Sequence, residues 1–311
     1  MRNMRKVFVS VVAVLFALSA SAQELKVASF NIKCGSSNGM GNSKSGNGWD
    51  DRKGYLCDLI NYTAFDVFGA QEARPGQLKD MAAALPDYAY IGVGRDDGKS
   101  KGEHCPVFYR RERFKLLDSG TFWLSDTPEK VSRGWDGDCN RICTWGYFQD
   151  KVTKSKFYFL NTHLDHRGVV AKTKGVELIL KFIEESCKGA QVIVTGDMNV
   201  NQNSEWYKQF VESGVLKDSF VAARYRFAPS GTFSTFTPTR YSTNRIDHIF
   251  VSKEIAVERY GVLTLHYWRA SDEENYQGKR LPANIEKRTV HLLSDHYPVE
   301  VKLLLKGAKK W

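Results

Sequence analysis

The chain has 311 residues, 42% of them hydrophobic, and a formal charge of +10. That apolar fraction excludes a disordered chain, and the length suffices for one large α/β core or two modest ones. Glycine and proline, at 25 and 8 residues, are too sparse and unperiodic for a collagen-like or low-complexity protein.

Residues 1–22 read as a signal peptide. Arg2, Arg5 and Lys6 precede an apolar run of fourteen, Val7–Ala20, and Ala20-Ser21-Ala22 supplies the small-x-small pattern that a signal peptidase reads. The run falls short of the roughly twenty apolar residues that a membrane-spanning helix needs. Cleavage after Ala22 removes three cations and no acids, which takes the charge from +10 to +7. The expectation is export to the periplasm or beyond, without stable membrane insertion. Cys34, Cys57, Cys105, Cys139, Cys143 and Cys187 all follow the cleavage point, so disulfides are permitted. Spacing does not choose among the roughly 15 pairings that six cysteines allow, and no pair has the repeated C-x-x-C spacing of a zinc site.

Short apolar strands then alternate with amphipathic helices. Leu25–Lys33 reads as a strand, Trp49–Asn61 as a helix, Phe65–Gln71 as a buried strand and Gln77–Leu85 as a helix. Strands follow at Tyr88–Val93, Val107–Arg110 and Phe114–Leu124, and Thr144–Gln149 pairs with Lys156–Thr162 around a polar turn. Gly175–Ser186 repeats apolar residues at Val176, Ile179, Leu180 and Ile183, a helical stripe. After the apolar strand Gln191–Thr195 come a helix at Glu205–Ser213 and strands at Ile246–Ser252, Ile255–Thr264 and Val299–Leu305. This interleaving lacks the strict alternation of a βα barrel and points to an α/β (α+β) protein with mixed, largely antiparallel sheets and helices outside. Gly35–Gly48 and Arg269–Arg288 read as surface loops. No segment reads as a linker, so residues 23–306 are expected to form one domain, with a basic tail at 307–311.

A weak internal echo runs through this pattern. Ser29-Phe30-Asn31 and Phe159-Leu160-Asn161 each end a strand, and each precedes a helix and a strand that ends in an acid, Glu72 or Asp197. Two such halves packed face to face would bring these ends together.

The informative residues are those where buried strands stop being apolar: Asn31; Gln71-Glu72; Asn161-Thr162-His163; Gly196-Asp197-Met198-Asn199; Asp247; and Ser294-Asp295-His296. A lone Asn or Asp at a strand end is most often a turn former. The set is different, because buried charge is costly unless paired or metal-bound. The simplest arrangement has these groups partner each other around a cation. Carboxylates and amide oxygens without a cysteine cluster make a hard site, which suits Mg²⁺ or Mn²⁺ better than zinc. The alternative is six unrelated hydrogen-bonded networks.

Phe30-Asn31, Gln71-Glu72, Asn161-Thr162-His163, Gly196–Asn199, Arg245–Phe250 and Ser294-Asp295-His296 occur in the order and approximate spacing of the endonuclease/exonuclease/phosphatase (DNase I-like) superfamily. The chain resembles that superfamily from Leu25 to Leu305, particularly its secreted bacterial members and its deadenylase-like branch. The resemblance implies a four-layer αββα sandwich and Mg²⁺-dependent hydrolysis of phosphate esters, and a monomer is expected.

On chemistry, His296 is the natural acceptor of the attacking water's proton, since an imidazole titrates at about 6.5, and Asp247 is its matching orienter. The family pairs the residues at these two positions. The resemblance makes Glu72 the main metal ligand, with an amide oxygen from Asn31 and a second carboxylate from Asp295. It gives the attacking water or the leaving group to Asp197, and the phosphate to Asn199. His163 would donate to a phosphoryl oxygen or to the leaving group, oriented by Glu103, where nucleases of the family carry a matching Glu. Arg141 is a candidate phosphate clamp, because a guanidinium offers paired donors, with a merely solvated arginine as the alternative. Asn161 is grouped with it at the substrate phosphate. Asp165-His166-Arg167 would line the same cleft.

Arg224–Arg245 interleaves four arginines with Tyr225, Phe227, Phe233, Phe236 and Tyr241 and is expected to rim the cleft. Cations beside aromatics suit a phosphate carrying a stackable base, and equally a lipid headgroup or a sugar phosphate. The same stretch also reads as an ordinary half-buried strand. The +7 charge leans toward a polyanion. The expectation is therefore an exported phosphodiesterase with nucleic acid as a candidate substrate; a phospholipid or an inositol or sugar phosphate is the alternative. A binding protein of the same fold would show gaps in the motif set, and none is found.

Overall fold

The computed structural model describes residues 23–35, 46–270 and 288–306. The expected signal peptide, residues 36–45 and 271–287 of the two expected loops, and the basic tail lie outside the described residues.

In chain order the elements are β1 (Gln23–Asn31), α1 (Trp49–Thr63), β2 (Val67–Gln71), α2 (Pro75–Ala84), β3 (Tyr88–Ile91), β4 (Val107–Arg110) and β5 (Phe114–Trp123). Then come β6 (Ile142–Asp150), β7 (Lys156–His163), α3 (Val169–Ser186), β8 (Gln191–Asp197), α4 (Glu205–Glu212), β9 (Leu216–Asp218), α5 (Ser219–Ala222) and β10 (Tyr225–Phe227). The last five are β11 (Asp247–Ser252), β12 (Ala256–Val262), β13 (His266–Ala270), β14 (Arg288–Leu292) and β15 (Val299–Leu305). α3 begins six residues before its apolar stripe does. The reason is non-local: the Asp136 carboxylate accepts from the N–H groups of Val169 (2.8 Å), Val170 (3.1 Å) and Ala171 (2.7 Å), which would otherwise be unpaired. The β13–β14 hairpin occupies the ends of the stretch read as a loop at 269–288.

Seven strands form one sheet, in the order β10-β12-β15-β1-β2-β4-β3, and six form a second, β5-β6-β7-β8-β11-β9. Most pairings are antiparallel, but β1–β2, β7–β8 and β10–β12 are parallel, and the first two cross over through a helix. These two strand–helix–strand units, β1–α1–β2 and β7–α3–β8, are the two halves of the internal echo, one in each sheet. Leu56, Ile60, Leu78 and Met81 of α1 and α2 cover Ala28, Phe30 and Phe68 on the outer face of the larger sheet. Val176, Ile179 and Phe210 of α3 and α4 cover Leu160, Val194 and Phe250 on the outer face of the smaller one. Between the sheets lie Leu25, Val27, Val67, Phe157, Phe159, Ile193, Ile249 and Val251. The molecule is thus an αββα sandwich. Among the described residues no helix is long and apolar enough to cross a membrane. All six cysteines are free thiols, and Cys57, Cys105, Cys143 and Cys187 are buried.

Side chains alternate faces along a strand, so every second residue points between the sheets. The inward rows read Leu25-Val27-Ser29-Asn31 on β1, Val67-Gly69-Gln71 on β2, Phe157-Phe159-Asn161-His163 on β7 and Ile193-Thr195-Asp197 on β8. On β11, antiparallel to β8, the row runs Val251-Ile249-Asp247 toward the strand's start. Every row turns from apolar to polar at the same end of the sandwich.

Just inside that end the sheets are joined by a side chain. The Asn161 amide, fully buried, donates to the carbonyls of Ala70 (2.7 Å) and Pro106 (2.9 Å) and accepts from Gln71 Nε2 (2.7 Å) and Thr195 Oγ1 (3.1 Å). Both donors and both acceptor positions are used, so Asn161 is not at the substrate phosphate as expected; it staples β7 to β2. The approach depends on Gly69, where a Cβ would lie 2.3 Å from Asn161 Oδ1 and 2.4 Å from Thr195 Oγ1. Gly69→Ala is expected to cost about 1–3 kcal/mol by overpacking this joint, read from urea unfolding midpoints. A variant as stable as the parent would mean that the sheets can part there freely.

Candidate active site

Register assembles the site. On β7, β8 and β11, His163 lies opposite Asp197, and Asp197 opposite Asp247. In the facing sheet Asn31 lies opposite Gln71, with Glu72 next, and Ser294-Asp295-His296 leads into β15 beside β1. Lys33, Glu72 and Asn199 have φ of 55°, 62° and 51°, the left-handed region that non-glycine residues enter at a cost. Three of the eight non-glycine residues with positive φ among the described residues thus stand at this end of the sandwich.

His296 Nδ1 stands 2.8 Å from Asp247 Oδ2, and its Nε2 stands 3.6 Å from Asp197 Oδ2. The Phe233 ring packs on the imidazole with centroids 4.8 Å apart. Asn31 Nδ2 donates to Glu72 Oε1 (3.0 Å) and to Asp197 Oδ2 (2.9 Å), so its nitrogen rather than its oxygen faces the carboxylates. The Cys34 N–H donates to Glu72 Oε2 at 2.9 Å, and the Asn199 N–H to Asp197 Oδ1 at 2.9 Å. Lys33 Nζ lies 3.7 Å from Glu72 Oε2 and 3.4 Å from Asp295 Oδ2.

These contacts set the charges. Burial opposes a charge on His296, but Asp247 and Asp197 outweigh it and lift the imidazole to about 10. The expected base is therefore a cation at neutral pH, because two carboxylates hold its proton. Burial lifts Asp197 as well; His296 pulls it down, Asp247 adds repulsion, and the balance is about 6. Burial likewise opposes ionisation of Glu72, but the neighbouring His163, then Lys33, the Cys34 N–H and the Asn31 amide outweigh it and hold the carboxyl below the usual range. Burial and then the Arg141 charge push His163 well below 6.5, so it is neutral. Asn199 Nδ2 donates to His163 Nε2 (2.9 Å) and to the Leu164 carbonyl (3.0 Å), which leaves the imidazole proton on Nδ1. His163 Nε2 is thus an acceptor, not the expected donor.

The donors suit a hard divalent cation. Glu72, His163 and Asp197 present ligand atoms within 4.8 Å of one another, as do Asp197, Asp247 and His296. The second group already holds the His296 charge. Together with Asp295 the two groups set four carboxylates, Glu72, Asp197, Asp247 and Asp295, against the Lys33 ammonium and the His296 imidazolium. That is a surplus of oxygen ligands with uncompensated charge.

A cleft of about 430 Å³ opens over these groups, its walls including Lys33, Arg95, Glu103, Arg141, His166 and Phe233. Glu103 does not orient His163. Its carboxylate is taken by Arg95 (2.7 Å) and Arg74 (3.5 Å), and His163 Nδ1 has no hydrogen-bond partner among the described residues. Arg141 is buried in the wall rather than solvated, with Nε on Asp165 (3.4 Å) and Nη2 on His166 Nδ1 (3.1 Å). Of the Arg224–Arg245 aromatics only Phe233 lines the cleft. Phe236 packs on the core under Arg52, and Tyr225 and Phe227 are exposed on the sheet's edge strand β10. Arg245 is buried against Asp218 at 3.0 Å. Sequence reasoning missed Lys33 and Arg95. The first follows the Asn31 strand end by two residues; the second sits in a loop without periodicity and carries no local signal.

Attack of water on phosphorus calls for a proton acceptor near neutrality and a fixed cation beside it. A sandwich that delivers both from facing sheets is that of a phosphoesterase. The chain belongs to the endonuclease/exonuclease/phosphatase family, whose sequence profile it matches over residues 28–296. A family protein from Bacteroides thetaiotaomicron is 42% identical with a TM-score of 0.84, the match covering 91% of this chain and 98% of that one. A mannosyl-6-phosphatase of the same organism is also 42% identical, with a TM-score of 0.83 and coverage of 90% and 100%. An uncharacterized protein of Acanthamoeba polyphaga mimivirus is 26% identical over 161 residues, 49% of this chain. The chain spans 60% of that curated relative's length and 13% of a second from the same virus.

The wall that carries Arg141 is itself pH-sensitive. Burial opposes ionisation of Asp165, but the N–H groups of Gly168 and Arg167, the Arg141 guanidinium and the Asp138 N–H outweigh it and hold the carboxyl at about 2. A carboxyl depressed in the folded state stabilises the fold above its unfolded value of about 3.9, and this is lost as pH falls through the folded one. Asp165→Asn should therefore be less stable than the parent at pH 7, with the gap closing between about pH 4 and pH 2. Urea midpoints measured against pH check this, and parallel curves would remove the assignment.

Proposed function

We propose that this protein hydrolyses the phosphate ester of a sugar with the help of a divalent cation. The observation that carries the chemistry is the placement of Asp197, whose Oδ2 stands 3.6 Å from His296 Nε2, 3.4 Å from His163 Nε2 and 2.9 Å from Asn31 Nδ2, with its carboxyl raised by burial. Glu72 and Asp295 would hold Mg²⁺ or Mn²⁺, which would supply positive charge against the phosphoryl oxygens, and Asn31, its nitrogen on Glu72 and Asp197, would orient those carboxylates. In the hydrolysis the water oxygen bonds to phosphorus as the ester P–O bond breaks. Asp197 takes the water's proton and later returns it to solvent, and the departing sugar oxygen takes a proton from solvent. His296, its charge fixed by Asp247, donates an N–H to a phosphoryl oxygen. Asn199 and His163 hold each other in place at the mouth of the Asp197 strand.

Two observations favour a sugar phosphate. The cleft lining carries five carboxylates against Lys33, Arg95, Arg141 and the His296 cation, a balance that leaves no excess of positive charge for a polynucleotide's repeated phosphates and suits a neutral, hydroxyl-rich leaving group. A relative 42% identical over its whole length bears the name mannosyl-6-phosphatase. The nucleic-acid reading rests on overall charge and on the arginines and aromatics of Arg224–Arg245, of which Phe233 alone lines the cleft. Export, proposed alongside, rests on the basic, apolar and small-residue order of residues 1–22.

Mannose 6-phosphate, glucose 6-phosphate, bis-p-nitrophenyl phosphate and an oligonucleotide should be assayed with Mg²⁺ or Mn²⁺. Phosphate release from the hexose phosphates is expected, abolished by EDTA and restored by either metal. Asp197→Asn and His296→Ala should each lose about 10²–10⁴-fold in kcat with unchanged circular dichroism. Cleavage of the oligonucleotide alone would replace the sugar reading, and activity that resists EDTA would remove the metal.

A further inference from the structure

We propose that Arg95 and Arg141 clamp the terminal oxygens of a phosphate monoester and so set the enzyme against diesters; this deepens the phosphate-ester reading above and rests on it. Arg141 is 6% exposed, and its Nη1 has no hydrogen-bond partner among the described residues, although Nε and Nη2 are held by Asp165 and His166. Arg95 is built the same way. Nη1 is fixed on Glu103 at 2.7 Å, the side chain is 15% exposed, and its buried Nε is unpartnered. Both line the cleft that contains His163, Asp197 and His296.

The two guanidinium groups are mounted on one support. The Arg95 carbonyl accepts from Trp123 Nε1 (2.8 Å) and from the side chain of Asn140 (3.2 Å), the residue before Arg141. The Arg141 carbonyl accepts from the N–H of Leu124 at 2.8 Å, the residue after Trp123. The frame fixes the backbone under both arginines, and each guanidinium has one edge tied down, Arg95 by Glu103 and Arg141 by Asp165 and His166. Buried N–H groups are nearly always paired, so two unpaired ones in the wall of one cleft mark where a ligand's acceptors belong.

Guanidinium donors match phosphate oxygens in pairs. At neutral pH a monoester presents three terminal oxygens that share close to two charges. A diester presents two that share one, and an alkyl or aryl group stands where the third would be. One arginine would then lose both its acceptor and its counter-charge. Sites that leave their own polar groups unpaired reject a substrate analogue far more strongly than sites that lose only apolar contact. This makes Arg95 and Arg141 specificity-determining for monoester over diester.

The test compares p-nitrophenyl phosphate with bis-p-nitrophenyl phosphate, which share a leaving group, in the full-length protein with Mn²⁺. Arg95→Met and Arg141→Met should each lower kcat/KM for the monoester by about 100-fold, and by at least tenfold more than for the diester. Inorganic phosphate should raise the melting temperature of the parent while dimethyl phosphate does not, and both variants should lose the phosphate effect. Arg95→Met is the safer variant, because its partner Glu103 keeps Arg74 at 3.5 Å, and it decides the matter if Arg141→Met does not fold. Equal losses on the two esters, or an undiminished phosphate effect in a folded Arg95→Met, would overturn the clamp and leave the sugar-phosphate reading standing. A parent that cleaves p-nitrophenyl phosphate but no hexose phosphate, with the variants behaving as expected, would sink the sugar reading and keep the clamp. A parent that cleaves only the diester would overturn both.

Discussion

The reacting groups of this site stand at the strand ends of one or the other of two sheets, so the site exists only if the sheets hold a fixed offset. Apolar packing between two sheets is non-directional and allows small slides. The Asn161 amide removes that freedom. Its four hydrogen bonds reach Ala70, Gln71 and Thr195 in the strands on either side of the interface and Pro106 in the loop before β4. It stands two residues before His163 on the same inward row, and Gln71 stands beside Glu72. The joint therefore lies one side-chain step below the carboxylates whose spacing it fixes, and it is placed where a slide would do most damage.

Above the joint the constraint is electrostatic. Asp197 and Asp247 face each other on neighbouring strands, an opposition of like charges that destabilises a sheet. His296 resolves it by reaching from the other sheet with a positive charge, its Nδ1 donating to Asp247 and its Nε2 standing 3.6 Å from Asp197. The same arrangement produces the chemistry, since a carboxylate kept near neutrality beside a fixed cation is what phosphoryl transfer to water needs. Stability and function thus share one positive charge.

The sequence made the strand ends legible because polar residues in buried alternating rows have few structural explanations. Asn31, Glu72, His163, Asp197, Asp247 and His296 all carry that signal, and they converge. Asn161 carries it too, but depth along a row is invisible without the other sheet, and one step deeper turned a supposed phosphate ligand into a joint. The charge on His296 was equally hidden, because it depends on acids 49 and 99 residues away in sequence. The family resemblance supplied Glu103, yet here Arg95 and Arg74 claim its carboxylate. Arg95 itself lies in a loop whose order comes from backbone bonds to Glu103 and from Trp123, which no local pattern announces.

The anchoring of α3 has a bearing on how such enzymes diversify. Asp136 grips the helix start from a segment that also carries Asp138 and Arg141 of the cleft wall. The wall thus hangs from a helix end and from Trp123 and Leu124, while the reacting groups sit on the strand ends. Two modules with separate foundations can be exchanged separately. A lineage can recut the segment between Ser125 and Asn140 to admit a new leaving group without disturbing the inward rows, and a protein engineer can graft that segment from one relative to another on the same grounds.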